Sequence, residues 1–229
     1  MAKVDSISAA VEDYAKAIYA LQTEAGGPVS NNALAERLRV TAASASSMVK
    51  KLHGLELVEH VPYRGVELTA QGRRVALEVL RHHRLLEHYH AQSLGVPWDR
   101  VHDEAEILEH HISEELEELI AEKLGNPTRD PHGDPIPTKD LELVEDVAAT
   151  LDTLDTGARG RFTRVSDHDP EMLRYLADRG IAPGDEFEVV DKQPFGGPLF
   201  VRFGGDEVHV VGGQLAAAMR VDQAQERAA

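Results

Sequence analysis

The stretch from Asn31 to Thr69 constrains this chain more than any other. Asn31 to Leu38 reads as one short helix, and TAASASSMVKKLHG, from Thr41, reads as a second, with only Arg39 and Val40 between them. Thr41 has the side chain of an N-cap, Val49 and Leu52 fall on one inward face, and Gly54 ends the helix. The segment LVEHVPYRGVELT then reads as two short strands around a Tyr63-Arg64-Gly65 tip. Two short helices with a tight turn, followed by a β-hairpin, outline a winged helix-turn-helix. A further helix precedes it, from Ala9 to Leu21, where Val11, Tyr14, Ile18 and Leu21 recur at helical spacing until AGGPVS breaks the pattern.

The remainder divides into a helical and a β-rich part. Gln71 to about Ser93 reads as a long helix, interrupted by Gly95 and Pro97. Asp99 to Leu124 reads as another, with Ala105, Leu108, Ile112, Leu116 and Leu119 as an apolar stripe. GNPTRDPHGDPIPTKD is too rich in Pro and Gly for a regular element, and a short acidic helical piece or linker carries the chain to about Thr156. From Gly160 the texture changes: RFTRVS, DEFEVVD, PLFVRFGG and EVHVVGG are strand candidates separated by glycines, with one helix at Pro170–Arg179 and a tail, DQAQERAA, expected to fray. The expectation is a mainly α protein with small β parts: a winged helix-turn-helix over 1–75, a helical dimerisation domain over 76–148, and a linker with a small β-barrel over 149–229.

Composition narrows the classes. There is no cysteine in the 229 residues, which removes disulfides and thiolate metal sites. No apolar run is long enough to cross a bilayer, and MAKVDSISAAVEDY lacks a basic start before an apolar stretch, so the expectation is a cytoplasmic protein with no membrane partner. A formal net charge of -16 argues against nucleic-acid binding only until its distribution is read. Residues 31–75 hold seven basic and four acidic side chains, while residues 76–229 hold 15 basic and 32 acidic. A contact patch is local, so the basic segment can bind a polyanion while the acidic body captures cations.

A helix-turn-helix lays its second helix in the major groove, with base contacts near that helix's start. Here Ser44, Ser46 and Ser47 can donate to phosphates or base edges, Ala42 and Ala43 can touch thymine methyls, and the capping Thr41 stands with them at the DNA-facing start of the helix. Arg37, Arg39, Lys50 and Lys51 can reach phosphates, and Tyr63 and Arg64 sit at the wing tip against the flanking backbone. The alternative is a winged helix used for protein contacts, with an Ala/Ser-rich helix suited to close packing.

The densest chemistry lies on the two long helices. His83 and Glu87 are four apart, and His102, Glu106, Glu109 and His110 are spaced 4, 3 and 1, so each set gathers on one helix face. Facing helices that carry His and Glu at such spacing form metal sites in helical cores, and Asp13 can add a carboxylate from the first helix. Oxygen and imidazole donors without sulfur suit Mn(II), Fe(II), Co(II) or Zn(II), and a carboxylate-rich set leans toward Mn(II). Glu114, Glu115, Glu117 and Glu118 read as a solvated face, and His82, His88, His90 and His111 as surface or packing residues.

VEDYAKAIYAL, YRGVELTAQG, HHRLLEHY, VHDEAEILEHHIS and DPHGDPIP together resemble the diphtheria-toxin-repressor family of metal-dependent regulators, over essentially the whole chain. The resemblance implies a homodimer, one or two dimers per double-stranded DNA operator, repression of metal-uptake genes, and a C-terminal domain of the SH3-like, ferrous-iron-transport-A-like kind. It implies a primary metal site of Asp13, Glu106, Glu109 and His110, and an ancillary site of His83, Glu87 and His102, to which Asp167 or Asp169 adds a ligand. Iron-type members carry Met and Cys where this chain has Asp13 and Glu106. Two hard ligands for two soft ones points to Mn(II), with Fe(II) the alternative and Zn(II) or Co(II) as substitutes in vitro. Short manganese regulators have a Glu where this chain has Lys16, so two separate sites fit better than a bridged pair. A di-metal hydrolase or oxidase is the rival class, but no nucleophile motif or separate general base is present. A winged-helix regulator with a non-metal effector is the other.

Overall fold

The computed structural model describes residues 7–144, 148–166 and 169–224. The chain forms two compact units, and neither is continuous in sequence. The first takes residues 1–83, 106–117 and 137–143, and the second takes 84–105, 118–136 and 144–229. No helix among the described residues is long and apolar enough to cross a membrane.

In the first unit, α1 (Ala9–Ala25) runs four residues past the apolar periodicity. Gln22, Thr23, Glu24 and Ala25 continue it, and Gly26, at φ 69°, ends it in the left-handed conformation that favours glycine. Helix α2 (Asn31–Arg37) is capped by Ser30, whose hydroxyl accepts from the Ala33 amide. Helix α3 (Ala42–Gly54) is capped as expected by Thr41, which accepts from the Ser44 amide. Strands β1 (Val58–Val61) and β2 (Gly65–Leu68) pair antiparallel with Val61 opposite Gly65, leaving Pro62, Tyr63 and Arg64 at the tip. Gly65 is required there: a Cβ would stand 2.0 Å from the Val29 carbonyl oxygen, because Val29 and Val66 form a β-bridge beside it. Val11, Ile18, Leu34, Val49, Leu52, Leu57 and Val66 make one core beneath this winged helix-turn-helix. Full burial of each such side chain stabilises by about 1.5–3 kcal/mol.

Helix α4 (Ala70–Leu94) is the expected long helix. The expected single helix over Asp99–Leu124 is instead two, α5 (Val101–Leu108) and α6 (Glu114–Lys123), after a short 3-10 turn at Trp98–Arg100. The reason is local. Ser113 starts a new helix, accepting the Leu116 amide at 3.2 Å, and Glu114, Glu115 and Glu117 follow in its first turn, where the helix dipole favours carboxylates. Residues 109–113 are thereby left as a turn. The apolar stripe is not buried within the chain: Ala105 is, whereas Leu108, Leu116 and Leu119 are exposed, as is Ile107 beside them.

The second unit is built on a six-stranded antiparallel sheet in the order β3-β8-β4-β5-β6-β7. Strands β4 (Arg159–Val165), β5 (Glu186–Lys192), β6 (Leu199–Phe203) and β7 (Val208–Val211) are the four expected, and α7 (Pro170–Ala177) lies between the first two in sequence. Strand β3 (Ala149–Thr150), helix α8 (Gly213–Ala218) and strand β8 (Met219–Gln223) were not foreseen. Only Met219 and Val221 of β8 point inward, too few to signal a strand, and its last two residues, Asp222 and Gln223, fall in the tail expected to fray. The sheet falls short of the expected barrel: β3 and β7 end the ladder, and no pairing between them closes it among the described residues. Phe162, Val189, Leu199, Val201, Leu173, Leu176 and Leu215 fill its core. The irregular 125–136 segment docks on β4 through backbone. The Val165 amide donates to the His132 carbonyl at 3.0 Å, and a Cβ on Gly133 would stand 1.9 Å from the Thr163 carbonyl oxygen.

Candidate metal centre and nucleic-acid interface

In the first unit, α1 presents Glu12, Asp13 and Lys16, and the break after α5 presents Glu109 and His110. Because that segment is a turn rather than helix, His110 reaches α1 with both ring nitrogens. Its Nδ1 lies 2.6 Å from Glu12 Oε2, and its Nε2 lies 2.9 Å from Asp13 Oδ1 and 3.4 Å from Glu109 Oε1. The Glu109 carboxylate is fully buried. Its Oε1 accepts from Lys16 Nζ at 2.6 Å, and its Oε2 lies 2.5 Å from His83 Nδ1. Glu106 Oε1 accepts from the same ammonium at 2.7 Å. Burial pushes the Asp13 carboxyl up, against the attraction of His110 and Lys16. Burial alone would lower the Lys16 ammonium, but Glu109 and Glu106 outweigh it and hold the pKa above the usual lysine value.

Donor atoms of Asp13, Glu109 and His110 all lie within 4.8 Å of one another. An ion with bonds of about 2.1 Å separates its ligands by roughly 3–4 Å, so a small contraction suffices. Two carboxylates and an imidazole form a donor set that fits a divalent cation, and burial disfavours the charged form of one of them, Asp13. The Glu12 carboxylate on the far nitrogen of His110 fixes the ring's orientation in the manner of a metal-bound histidine.

One neighbour was misread from sequence. Glu117 is not solvated: it is buried, pairs with Arg81, and accepts from His82 Nε2 at 3.1 Å. Burial would raise the Glu117 carboxyl, but His82 and Arg81 bring it below its usual value. His82 is correspondingly structural, with its Nδ1 3.0 Å from the Glu109 carbonyl oxygen.

In the second unit, Glu87 on α4 meets residues that sequence reasoning passed over. Donor atoms of Glu87, Asp130 and His132, all three buried, lie within 4.8 Å of one another. His132 Nδ1 is 3.7 Å from Glu87 Oε2 and makes no hydrogen bond, while its Nε2 lies 2.8 Å from the Trp98 carbonyl oxygen and its ring stacks on Trp98. His102 Nδ1 is 3.3 Å from Glu87 Oε1. Burial disfavours a charged His132, but Glu87, Asp130 and the Trp98 carbonyl push its pKa up to about 9. Burial, Asp134 and Glu87 drive the Asp130 carboxyl well up. A buried imidazole nitrogen without a hydrogen bond, facing two carboxylates, also fits a cation. Of the expected ancillary residues, Glu87 is part of this cluster and His102 adjoins it through Glu87, while His83 pairs with Glu109 in the first unit. Asp169 caps α7 with its side chain, accepting from the Glu171 and Met172 amides, and Asp167 lies outside the described residues. The missed signal was Asp130-x-His132 inside a Pro/Gly-rich segment that cannot be a regular element.

On α3, Thr41, Ala42, Ala43, Ser44, Ser47, Lys50 and Lys51 are exposed, and Ser46 is half-buried and accepts from Asn31 Nδ2. The Thr41 and Ser44 hydroxyls bond each other at 2.8 Å. Arg37 pairs with Glu24 at 3.2 Å, while Arg39, Tyr63 and Arg64 are exposed. Arg39 at φ 52° and Tyr63 at φ 63° occupy left-handed turn positions that project them outward.

Residues 6–66 match the iron dependent repressor N-terminal DNA binding domain, residues 69–138 the iron dependent repressor metal binding and dimerisation domain, and residues 149–223 the FeoA domain. The chain belongs to the iron-dependent repressor family. Members of this family are metal-dependent transcriptional repressors, not enzymes. The iron-dependent repressor IdeR of Mycobacterium leprae (strain TN) is 31% identical over 224 residues, covering 93% of this chain and 96% of that protein. A solved manganese-dependent transcriptional repressor, in complex with manganese, superposes with a TM-score of 0.85 at 41% identity, covering 93% of this chain and 100% of that one. The manganese regulator SloR superposes with a TM-score of 0.74 at 30% identity, covering 93% and 98%. The C-terminal sheet of this repressor is thus an SH3-like FeoA domain.

Proposed function

We propose that this family member is a manganese-responsive repressor of metal-uptake genes, in which Mn(II) held by Asp13, Glu106, Glu109 and His110 makes the homodimer competent for double-stranded operator DNA in the cytoplasm. The observation that carries this reading is the convergence of Asp13, on α1, with Glu109 and His110, in the turn after α5. Helix α1 is part of the winged-helix core, so whatever fastens Asp13 to residues 109–110 also restrains α3, the reading helix. When bound, the ion would supply a divalent charge beside Asp13, the carboxylate whose charged form burial disfavours. The protein's contribution is to orient His110 through Glu12, to bury Glu109, and to present Ser44, Ser47, Lys50 and Lys51 at the groove. Metal and DNA then favour the same geometry, and linkage requires that operator DNA tighten metal binding by the factor by which metal tightens DNA binding. Glu87, Asp130 and His132, with His102 adjoining, form a second cation site of the same donor chemistry.

The choice of Mn(II) rests on donor chemistry: neither cluster contains sulfur, and the chain has no cysteine. Fe(II) is the second reading, favoured by the iron-dependent relatives. Fluorescence anisotropy on promoter fragments with Mn(II), anaerobic Fe(II), Zn(II) or chelator distinguishes them. Tight binding only with metal, best with Mn(II), is the expected result. Specific binding that ignores chelator would sink the switch, and tighter binding with Fe(II) would replace the manganese assignment.

A further inference from the structure

Lys16 lies one turn along α1 from Asp13, on the same face, with a side chain only 16% exposed. Its ammonium donates to Glu109 Oε1 at 2.6 Å and to Glu106 Oε1 at 2.7 Å. Both are carboxylates of the proposed primary site. Glu109 Oε1 is also the oxygen 3.4 Å from His110 Nε2, so the ammonium is anchored on an atom facing the other donors. The second Glu109 oxygen is held by His83 at 2.5 Å. Neither oxygen of the most deeply buried carboxylate can therefore take a metal bond without disturbing an existing partner.

We propose that Lys16 is a tethered cation that competes with the metal for Glu106 and Glu109, and so sets the metal concentration at which the repressor responds. This rests on the primary-site reading above. The argument is one of charge and geometry. A divalent ion bonded to Glu109 Oε1, with the ammonium still on that oxygen, would place two cations within about 4–5 Å in a poorly solvated site. Repulsion at that distance is relieved only if the ammonium leaves. In the absence of metal, the same ammonium offsets carboxylates that would otherwise repel one another, and it holds α1 to the 106–110 segment. Binding is thus an exchange of one cation for another, and its free energy is reduced by the ion pairs given up. A neutral side chain at position 16 removes the competitor. An arginine retains it.

The test is Mn(II) titration by calorimetry of the full-length wild type, Lys16→Met, Lys16→Gln and Lys16→Arg, with Asp13→Ala as the site control, alongside melting curves with and without metal. Lys16→Met and Lys16→Gln are expected to bind Mn(II) at least tenfold more tightly at the site that Asp13→Ala removes. Their half-saturation of operator DNA should move to correspondingly lower free Mn(II), and Lys16→Arg should stay near wild type. The melting temperature should fall in the neutral variants without metal and return to the wild-type value when Mn(II) is bound. Unchanged or weaker Mn(II) affinity in both neutral variants would overturn the proposal, since Lys16 would then be gathering the ligands rather than competing for them. If the neutral variants fold only with metal, retention of Mn(II) against a competing chelator replaces the titration, and easier loss than from wild type counts against the proposal. If wild type binds Mn(II) and Asp13→Ala binds it equally well, the primary-site reading fails and Lys16 fails with it. If only the Lys16 variants disagree, the site stands and the exchange does not.

Discussion

At the scale of single residues, the primary site makes separable predictions. Glu109→Ala removes a carboxylate that Lys16, His83 and His110 surround, so metal-dependent DNA binding should be lost. Asp13→Ala should lose it too, with an unchanged circular-dichroism spectrum, because the Asp13 side chain is only part-buried. Retention of a manganese-dependent anisotropy change in Asp13→Ala would remove that residue from the site. Asp13→Met combined with Glu106→Cys exchanges hard donors for soft ones and should shift the response toward Fe(II), checked by operator binding under anaerobic conditions. In the second cluster, His132→Ala should lower Mn(II) stoichiometry by one ion per chain on equilibrium dialysis, with the primary-site affinity kept. Asp13, Glu109 and His110 were nominated by helical spacing and by resemblance, yet the structure brings them together through the turn after α5, where the helix that the spacing assumed has ended. His132 and Asp130 were not nominated, because they stand in a segment without periodicity, and only the docking of its backbone on β4 brings them to Glu87. Glu117 was misread for a related reason: four glutamates in a row of five residues look solvated, and the one that faces Arg81 and His82 is chosen by the turn at 109–113.

At the scale of elements, α3 carries two predictions. The Thr41 cap accepts from the Ser44 amide at 3.1 Å, and Thr41→Ala should cost about 1 kcal/mol, measured by denaturant unfolding. Lys50→Ala and Lys51→Ala should each lower the slope of log affinity against log salt by about 1 without altering base preference, because both are exposed on α3 and are assigned to phosphates in the proposed DNA complex. An altered consensus in a binding-site selection would instead make either lysine a base reader. The break between α5 and α6 shows how a local signal outweighs a pattern. The apolar stripe continues through Ile112, yet Ser113 and the following glutamates restart the helix, and the turn they create is what frees His110 to meet α1. The stripe that remains exposed, at Leu108, Leu116 and Leu119, suits the dimerisation domain in which it lies.

At the scale of the whole molecule, metal should act on stability as well as on DNA binding. A ligand at 100 times its Kd stabilises by about 2.7 kcal/mol, which raises the melting temperature of a chain this size by roughly 5–10 °C. Addition of Mn(II) to metal-stripped protein should produce such a shift in differential scanning fluorimetry, and Asp13→Ala should show less of it. Gly133 sits at φ 88° with its missing Cβ 1.9 Å from the Thr163 carbonyl oxygen, so Gly133→Ala should force the 125–136 segment off β4 and lower the stability of the second unit. By itself the sequence determined the elements that local pattern encodes: the helix-turn-helix with its Thr41 cap, the wing, the long α4, four strands of the FeoA sheet, and the hard-donor character of the candidate metal ligands. Period, caps and turn residues act over a few positions, so they can be read without knowing what lies opposite. Only the tertiary structure decided which donors meet. Lys16 on Glu106 and Glu109, Glu12 on His110, and Asp130 with His132 on Glu87 join residues up to 98 positions apart, and such pairings follow from how packed elements and docked backbone bring distant segments together.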